Sequence, residues 1–384
     1  MKHGVNEILR DKLFKREEQQ TLRNLTIPEF NQKDFYSNDY LGFAQNKNIY
    51  QKAVYYIQED FRHTLNGSSG SRLISGNNPF IEDLENQISR IHLAEKSLLF
   101  NSGYDANLGF WSCIPQRNDT ILYDELIHAS IRDGIKLSNS KTFAFNHNSA
   151  DDLDFKAGLV QGNVFVAVES IYSMDGDFLN TDIVKVCKHN KWNLIVDEAH
   201  ACGITGQNNL GMFNYLNWQD DCFARIITYG KAFGAHGASV LGSKLLIDYL
   251  INFSRPFIYT TAAIPHQFAT IKASYDYLLR NNAEQNSLNL NIESFNAFAN
   301  QLGLSKHFIE LNESPIKALL PGNKQFTIEL SKEIKEQGFL VKPIFSPTVS
   351  EGRERIRICI HSFNTEEEII SLLITINQFI TKKV

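Results

Sequence analysis

Two short stretches place reactive side chains directly behind apolar runs. In Asn193-Leu194-Ile195-Val196-Asp197-Glu198-Ala199-His200 a strand-like segment ends in a carboxylate, and a histidine follows three residues later. In Ile226-Ile227-Thr228-Tyr229-Gly230-Lys231-Ala232-Phe233-Gly234 a second apolar run ends in a hydroxyl, a glycine, a lysine and another glycine. Ligands of open α/β sheets sit beyond the carboxyl ends of the strands, where Asp197 and Lys231 would both be presented. A lysine in such a place can be desolvated, which lowers its amine pKa and favours Schiff-base chemistry. Alone, Asp197 reads as a residue capping a turn or helix, and Lys231 as a solvated lysine behind a strand. Together they offer an anion and an amine, the pair that pyridoxal 5'-phosphate (PLP) needs at its pyridinium nitrogen and its aldehyde.

That cofactor also requires a phosphate cradle. Asn101-Ser102-Gly103-Tyr104 follows the apolar run Leu98 to Phe100 and opens a helical stretch, where free backbone N–H groups can bind an anion. Gly103 permits close backbone approach, Tyr104 can pack beside it, and Thr228 adds a hydroxyl donor. The stretch Gly67-Ser68-Ser69-Gly70-Ser71-Arg72 follows no expected strand and is not a dinucleotide fingerprint.

The elements that must position these residues follow from periodicity. Ser97 to Phe100, Thr120 to Tyr123, Val164 to Val168, Leu194 to Val196 and Ile226 to Thr228 read as buried strands separated by helical stretches, with Ala238 to Leu241 as an edge strand. This alternation predicts an α/β domain with a mostly parallel sheet covered on both faces. Helices are expected up to about Arg23, over Ile49 to Phe61, Pro79 to Leu93 and Pro265 to Arg280, and the polar run Asn281 to Asn286 marks a boundary. Beyond it, Arg355 to His361 alternates with period two, so Arg355, Arg357 and His361 share one strand face. Thr365 with Glu368 forms a capping box for a final helix, Glu366 to Phe379. The expected division is an N-terminal helical arm over 1–45, a large α/β domain over 46–282 and a smaller α+β domain over 283–384.

Composition narrows the partners. A net charge of −5 gives no reason to expect nucleic acid or an anionic membrane as a general partner. Residues 1–20 carry no apolar signal-peptide core, and no apolar run approaches the roughly 18 residues of a spanning helix. Five scattered cysteines without a CxxC pair argue against a disulfide framework or a structural zinc site, so a cytoplasmic location is expected and no metal.

With these motifs assembled, the chain resembles the α-oxoamine synthases, a fold-type-I PLP family that condenses an amino acid with an acyl thioester. The likeness runs from Ser37-Asn38-Asp39-Tyr40-Leu41-Gly42 to Arg357, nearly the whole chain. It implies that Lys231 carries the cofactor, Asp197 meets the pyridinium nitrogen, and His200 hydrogen-bonds the ring oxygen. His128, in Asp124-Glu125-Leu126-Ile127-His128-Ala129-Ser130, resembles the histidine stacked on the ring, and Ser173, in Ser173-Met174-Asp175-Gly176-Asp177, the serine near the ring oxygen and substrate. Ser102, Gly103, Tyr104 and Thr228 resemble the phosphate cradle. Thr260 and Thr261, in Tyr259-Thr260-Thr261, are similar to the segment that reaches the neighbouring subunit's phosphate, which implies a homodimer. Arg357 becomes the carboxylate anchor, assisted by Asn38. Arg23 reads either as part of a solvated helix face or as a contact for the acyl substrate near the entrance.

Within the family, Ser71 to Pro79 and Ile258 to Thr261 look most like the biotin-pathway branch, which joins L-alanine to a pimeloyl thioester of CoA or acyl carrier protein. Two positions depart from its pattern. Ile81 stands where a histidine is usual ahead of Leu84-Glu85, and Ser362-Phe363-Asn364 replaces a small-residue and histidine pattern. The competing readings are a family member using glycine or serine, a PLP aminotransferase, and a non-catalytic scaffold.

Overall fold

The computed structural model describes residues 4–25, 27–28, 31–61 and 64–383. Seven short strands form its main sheet: β1 (Lys96–Phe100), β2 (Thr120–Asp124), β3 (Lys141–Phe145), β4 (Val164–Glu169), β5 (Asn193–Asp197), β6 (Ala224–Thr228) and β7 (Ala238–Gly242). They lie in the order β1-β7-β6-β5-β4-β2-β3, parallel except for β7, which runs antiparallel to both neighbours. Strands buried on both faces must be apolar at consecutive positions, and β4 and β6 are buried at every residue. Alternate residues of β4 and its neighbour β5 serve different cores. Phe165, Ala167 and Ile195 join a cluster with Phe110, Trp111 and Ile131, whereas Val166, Val168, Leu194 and Val196 join one with Ile183 and Phe213.

The expected edge strand at Ala238 is central instead. Ala238, Ser239, Val240 and Leu241 are all buried, and the segment fills the space between β1 and β6. The edges are β1 and β3. β3 escapes recognition by periodicity because four of its five residues are not buried, which removes the apolar signature. Other elements lie close to expectation, including Lys47–Asp60, Pro79–Ile91 and Pro265–Leu278. The first helix is shorter than expected and spans Val5–Glu18, with no buried residue to extend it.

A smaller antiparallel sheet follows, β9-β10-β8, made of β8 (Ile316–Leu319), β9 (Lys342–Ile344) and β10 (Arg355–Cys359). Helices Ala283–Gln301, Lys324–Glu336 and Glu366–Lys383 accompany it, and the last begins with the expected reciprocal bonds between Thr365 and Glu368. Every residue of β10 is buried, so Arg355 and Arg357 point into the molecule rather than to solvent. The segment after the first helix is stitched to this part of the chain. Lys33 and Asp34 pair with Phe339 and Leu340, Cys359 N–H donates to Phe35 O at 2.8 Å, and Ser362 N–H donates to Tyr40 O at 2.8 Å. Among the described residues no helix is long and apolar enough to cross a membrane, and all five cysteines are free.

Candidate active site

Parallel strands deliver their last residues to one rim, and the chemistry gathers there. Glu169 ends β4 and Asp197 ends β5, and the two are register partners. Alternation then separates Asp197 from its neighbour Glu198. Glu198 turns to accept Met212 N–H at 2.7 Å and Phe213 N–H at 3.3 Å, a structural role. Asp197 is buried and accepts Asn107 Nδ2–H at 2.8 Å and Ala199 N–H at 2.9 Å. Asn107 also donates to Ser130 Oγ at 3.1 Å, and Ser130 lies 2.7 Å from His128 Nδ1. One chain of bonds therefore links Asp197 to the histidine that caps helix Ala129–Leu137, whose own N–H donates to Glu169 Oε1 at 2.6 Å.

Lys231 follows β6 at the same rim. Burial brings its amine down to about 8, opposed by the negative charges of Asp197 and Glu169 and reinforced by Arg357. Burial likewise raises Glu169 to about 8, with Asp197 adding repulsion. His200 is buried and held well below the ordinary histidine range by burial and by the cations Lys231 and Arg357, so its imidazole is neutral.

Opposite these groups stands the second half of the site, supplied by β10 and the stitched segment. Arg357 Nε donates to Ser173 O at 2.7 Å, Nη1 to Cys359 Sγ at 2.8 Å, and Nη2 to Asn38 Oδ1 at 3.0 Å and Tyr40 Oη at 3.3 Å. Tyr40 Oη lies 2.8 Å from His200 Nδ1, which joins the two halves. Ser173 takes part here through its carbonyl. Its loop is held from below, where Asp175 pairs with Arg355 and Asp177 accepts from His147 at 2.9 Å.

The residues expected to cradle a phosphate open helix Gly103–Cys113. Ser102 Oγ accepts Asp105 N–H at 3.1 Å as the cap, so its hydroxyl serves the helix while the N–H groups of Gly103 and Tyr104 open the first turn. Tyr104 hydrogen-bonds Asp133. Three observations fit PLP to these residues. Thr228 Oγ1 is buried without a hydrogen-bond partner, the group a phosphate oxygen would satisfy. A Cβ on Gly103 would come within 2.6 Å of Thr228 Cγ2, so glycine keeps that backbone close to the hydroxyl. The buried carboxylate and the low-pKa amine supply the remaining complementary groups.

Thr260 and Thr261 lie beside this turn in the same chain, where Asn101 Nδ2 donates to Thr260 Oγ1 at 3.2 Å and to Thr261 O at 2.8 Å. Arg23 is exposed and reaches Thr348 Oγ1 at 3.4 Å, away from the bonded network around Arg357. The two unusual positions are both structural. Ile81 is wholly buried in helix Pro79–Ile91, and Asn364 accepts His361 N–H at 2.8 Å and donates to Asp34 O at 3.0 Å. Sequence reasoning gave no role to Glu169, Asn107 or Tyr40. Glu169 carried a signal, since it ends an apolar strand as Asp197 does.

Comparison with known proteins shows the family and the fold. The family model for aminotransferase class I and II matches residues 31–374. An 8-amino-7-oxononanoate synthase of Emericella nidulans is 38% identical over 97% of this chain and 95% of its own. One from Saccharophagus degradans is 34% identical over 88% and 84%. Among solved structures, the 8-amino-7-oxononanoate synthase of Francisella tularensis superposes with a TM-score of 0.79 at 28% identity, covering 92% of this chain and 99% of that one. Sphingomonas wittichii serine palmitoyltransferase gives a TM-score of 0.89 at 22% identity over 98% of both chains, a likeness of fold.

Proposed function

The chain belongs to the aminotransferase class I and II family, and from that premise we propose that it is a PLP-dependent acyltransferase of the 8-amino-7-oxononanoate synthase type. It condenses L-alanine with a pimeloyl thioester of CoA or a carrier protein, releasing carbon dioxide and the thiol and leaving an α-amino ketone. The identities to enzymes of that name, over most of both chains, support this reading. The observation that carries the chemistry is the single rim holding Asp197 and a lysine of lowered pKa, joined through His200 and Tyr40 to Arg357.

When bound, PLP supplies an electron sink for the substrate's α-carbon. Lys231 would hold the aldehyde carbon, and the charge of Asp197 would favour a proton on the ring nitrogen. Asn107 fixes the orientation of that carboxylate. His128 covers one ring face. Thr228 Oγ1 and the N–H groups of Gly103 and Tyr104 bind the phosphate, helped across a homodimer interface by Thr260 and Thr261. Arg357 binds the alanine carboxylate with its planar fork, and Asn38 keeps that fork in place. With its amine brought down to about 8, Lys231 would have enough neutral amine near that pH to take the substrate's α-proton as a general base. His200 offers a neutral N–H to the ring oxygen and to charge developing on the thioester oxygen. Arg23, exposed beside Thr348, would meet the acyl chain at the entrance, and the enzyme would work in the cytoplasm.

The test crosses alanine, glycine and serine with pimeloyl, acetyl, succinyl and long-chain thioesters, and identifies the product by mass. The expected product is 8-amino-7-oxononanoate from alanine and the pimeloyl thioester. A ketone formed from glycine or serine alone, or amino-group exchange with a 2-oxo acid without thiol release, overturns the assignment.

A further inference from the structure

Tyr40 is wholly buried, and its hydroxyl stands between three polar partners. His200 Nδ1 is 2.8 Å away, Asn38 Oδ1 is 3.2 Å away, and Arg357 Nη2 donates to it at 3.3 Å. A phenol has one proton and two acceptor lone pairs, so it can donate to only one of the first two groups. Arg357 Nη2 already donates to Asn38 Oδ1 at 3.0 Å, while no other described residue donates to His200 Nδ1. The shorter distance and the lack of another donor both direct the phenolic proton to Nδ1. The Arg357 cation donating into the same oxygen polarises the O–H bond and strengthens that donation.

We propose that Tyr40 is a positioning residue that couples the carboxylate anchor, Arg357 with Asn38, to the tautomer of His200. By giving its proton to Nδ1, it keeps the histidine neutral with its own proton on Nε2, the nitrogen for which the described residues provide no partner. Which ring nitrogen of a histidine carries the proton is set by the bond the other one makes. A carboxylate arriving at Arg357 competes for Nη2 and so withdraws the donor that Tyr40 accepts from. Binding at the anchor is thereby transmitted to His200, and linkage makes the effect reciprocal. The role rests on the reading of the site given above, since it assumes a substrate carboxylate at Arg357.

The experiment is nitrogen-15 NMR of the full chain loaded with PLP and labelled at histidine, with the His200 signals identified by their loss in His200→Gln. In the wild type, Nδ1 is expected to be the unprotonated ring nitrogen and Nε2 the protonated one. Saturating acetate, as a plain carboxylate probe of the anchor, is expected to shift the Nδ1 resonance. Tyr40→Phe keeps the ring and removes only the hydroxyl. It is expected to populate the other tautomer, to abolish the acetate response, and to weaken alanine binding by about tenfold in an absorbance titration. Asn38→Ala removes the competing acceptor and is expected to leave the tautomer unchanged. The proposal is overturned if wild-type Nδ1 is protonated, a result that needs no variant to fold. It also falls if a folded Tyr40→Phe retains the wild-type tautomer and acetate response, or if Asn38→Ala changes the tautomer as Tyr40→Phe does. Failure of the functional assignment would instead appear in the product mass and leave the tautomer measurements standing.

Discussion

The two halves of the site are built by different means. Asp197, Glu169, Thr228 and Lys231 stand at or just beyond the ends of strands in one sheet, each placed by the strand it terminates. Asn38, Tyr40, Arg357 and the carbonyl of Ser173 come from three separated segments held together by long-range bonds. The first half is assembled by sheet register, the second by stitching. A change in the first half should therefore remove chemistry while leaving the cavity standing. A change in the second should act first on substrate binding and geometry.

The sharpest contrast is between Lys231→Ala and Arg357→Lys. Lys231→Ala is expected to lower kcat by at least about 10³-fold, because a general base alone contributes on the order of 10²–10⁴ and the cofactor's anchor is lost with it. The far-UV circular dichroism spectrum should be unchanged. Arg357→Lys keeps a charge but loses the planar fork, so the KM for alanine is expected to rise about 10- to 100-fold, with a smaller change in kcat. Steady-state kinetics with both substrates varied checks the two together. An Arg357→Lys variant that lost kcat as completely as Lys231→Ala, with KM intact, would erase the distinction between the halves.

Legibility in the sequence follows the same division. Five of the seven main strands stand out because consecutive buried apolar residues leave an unmistakable run, and Asp197 and Lys231 are conspicuous behind two of them. The apolar run of β7 marks a strand but suggests an edge, because a run of that length does not reveal which neighbours it joins. β3 leaves no such run because its exposed edge positions are not apolar. In the second half, a residue such as Tyr40 can be noticed in its motif, but its meeting with His200 depends on Ser362 N–H bonding Tyr40 O and on Lys33 and Asp34 pairing with Phe339 and Leu340. No local pattern encodes such a distant pairing. Only the family resemblance points to roles for Arg357 and Asn38, whereas period two shows merely that Arg355 and Arg357 share a face. That their face is buried is information from the fold alone.

Where the halves meet, the loop carrying Ser173 is braced by a partly buried ionic cluster, and its pH response tests whether stitching contributes stability. His147 Nδ1 lies 2.9 Å from Asp124 Oδ1, and its Nε2 lies 2.9 Å from Asp177 Oδ2. Burial opposes charging the ring, but hydrogen bonds to both carboxylates and their charges outweigh it and raise His147 to about 10. Because this value lies above the roughly 6.5 of an unfolded histidine, the contribution is complete below that pH and fades as pH rises through about 10. His147→Gln is therefore expected to lose roughly 2–4 kcal/mol relative to wild type at pH 6, with most of that difference gone by about pH 10.5. Urea unfolding midpoints at both pH values give the comparison. An equal loss at each would mean that packing, rather than charge, accounts for His147.

The smallest effect concerns Glu169, which separates a carboxylate that tunes Lys231 from one that only anchors the backbone of His128. Its charge, like that of Asp197, raises the Lys231 amine against the stronger effect of burial. Glu169→Gln keeps an oxygen to accept His128 N–H but removes that charge, so the Lys231 pKa should fall below about 8. Glu169 is itself held up to about 8 by burial and by Asp197, so it is only partly ionised near neutral pH and the fall should be a fraction of a unit. The amine's reactivity toward a small acylating reagent, followed at the Lys231 peptide by mass spectrometry in cofactor-free protein, gives the titration directly. Its midpoint should move toward lower pH in Glu169→Gln, because the neutral, reactive amine then appears earlier as protons are withdrawn. A midpoint that stayed in place would confine Glu169 to its bond with His128, and one that rose would mean that Glu169 is neutral in the folded protein and that its replacement alters the burial of Lys231 instead.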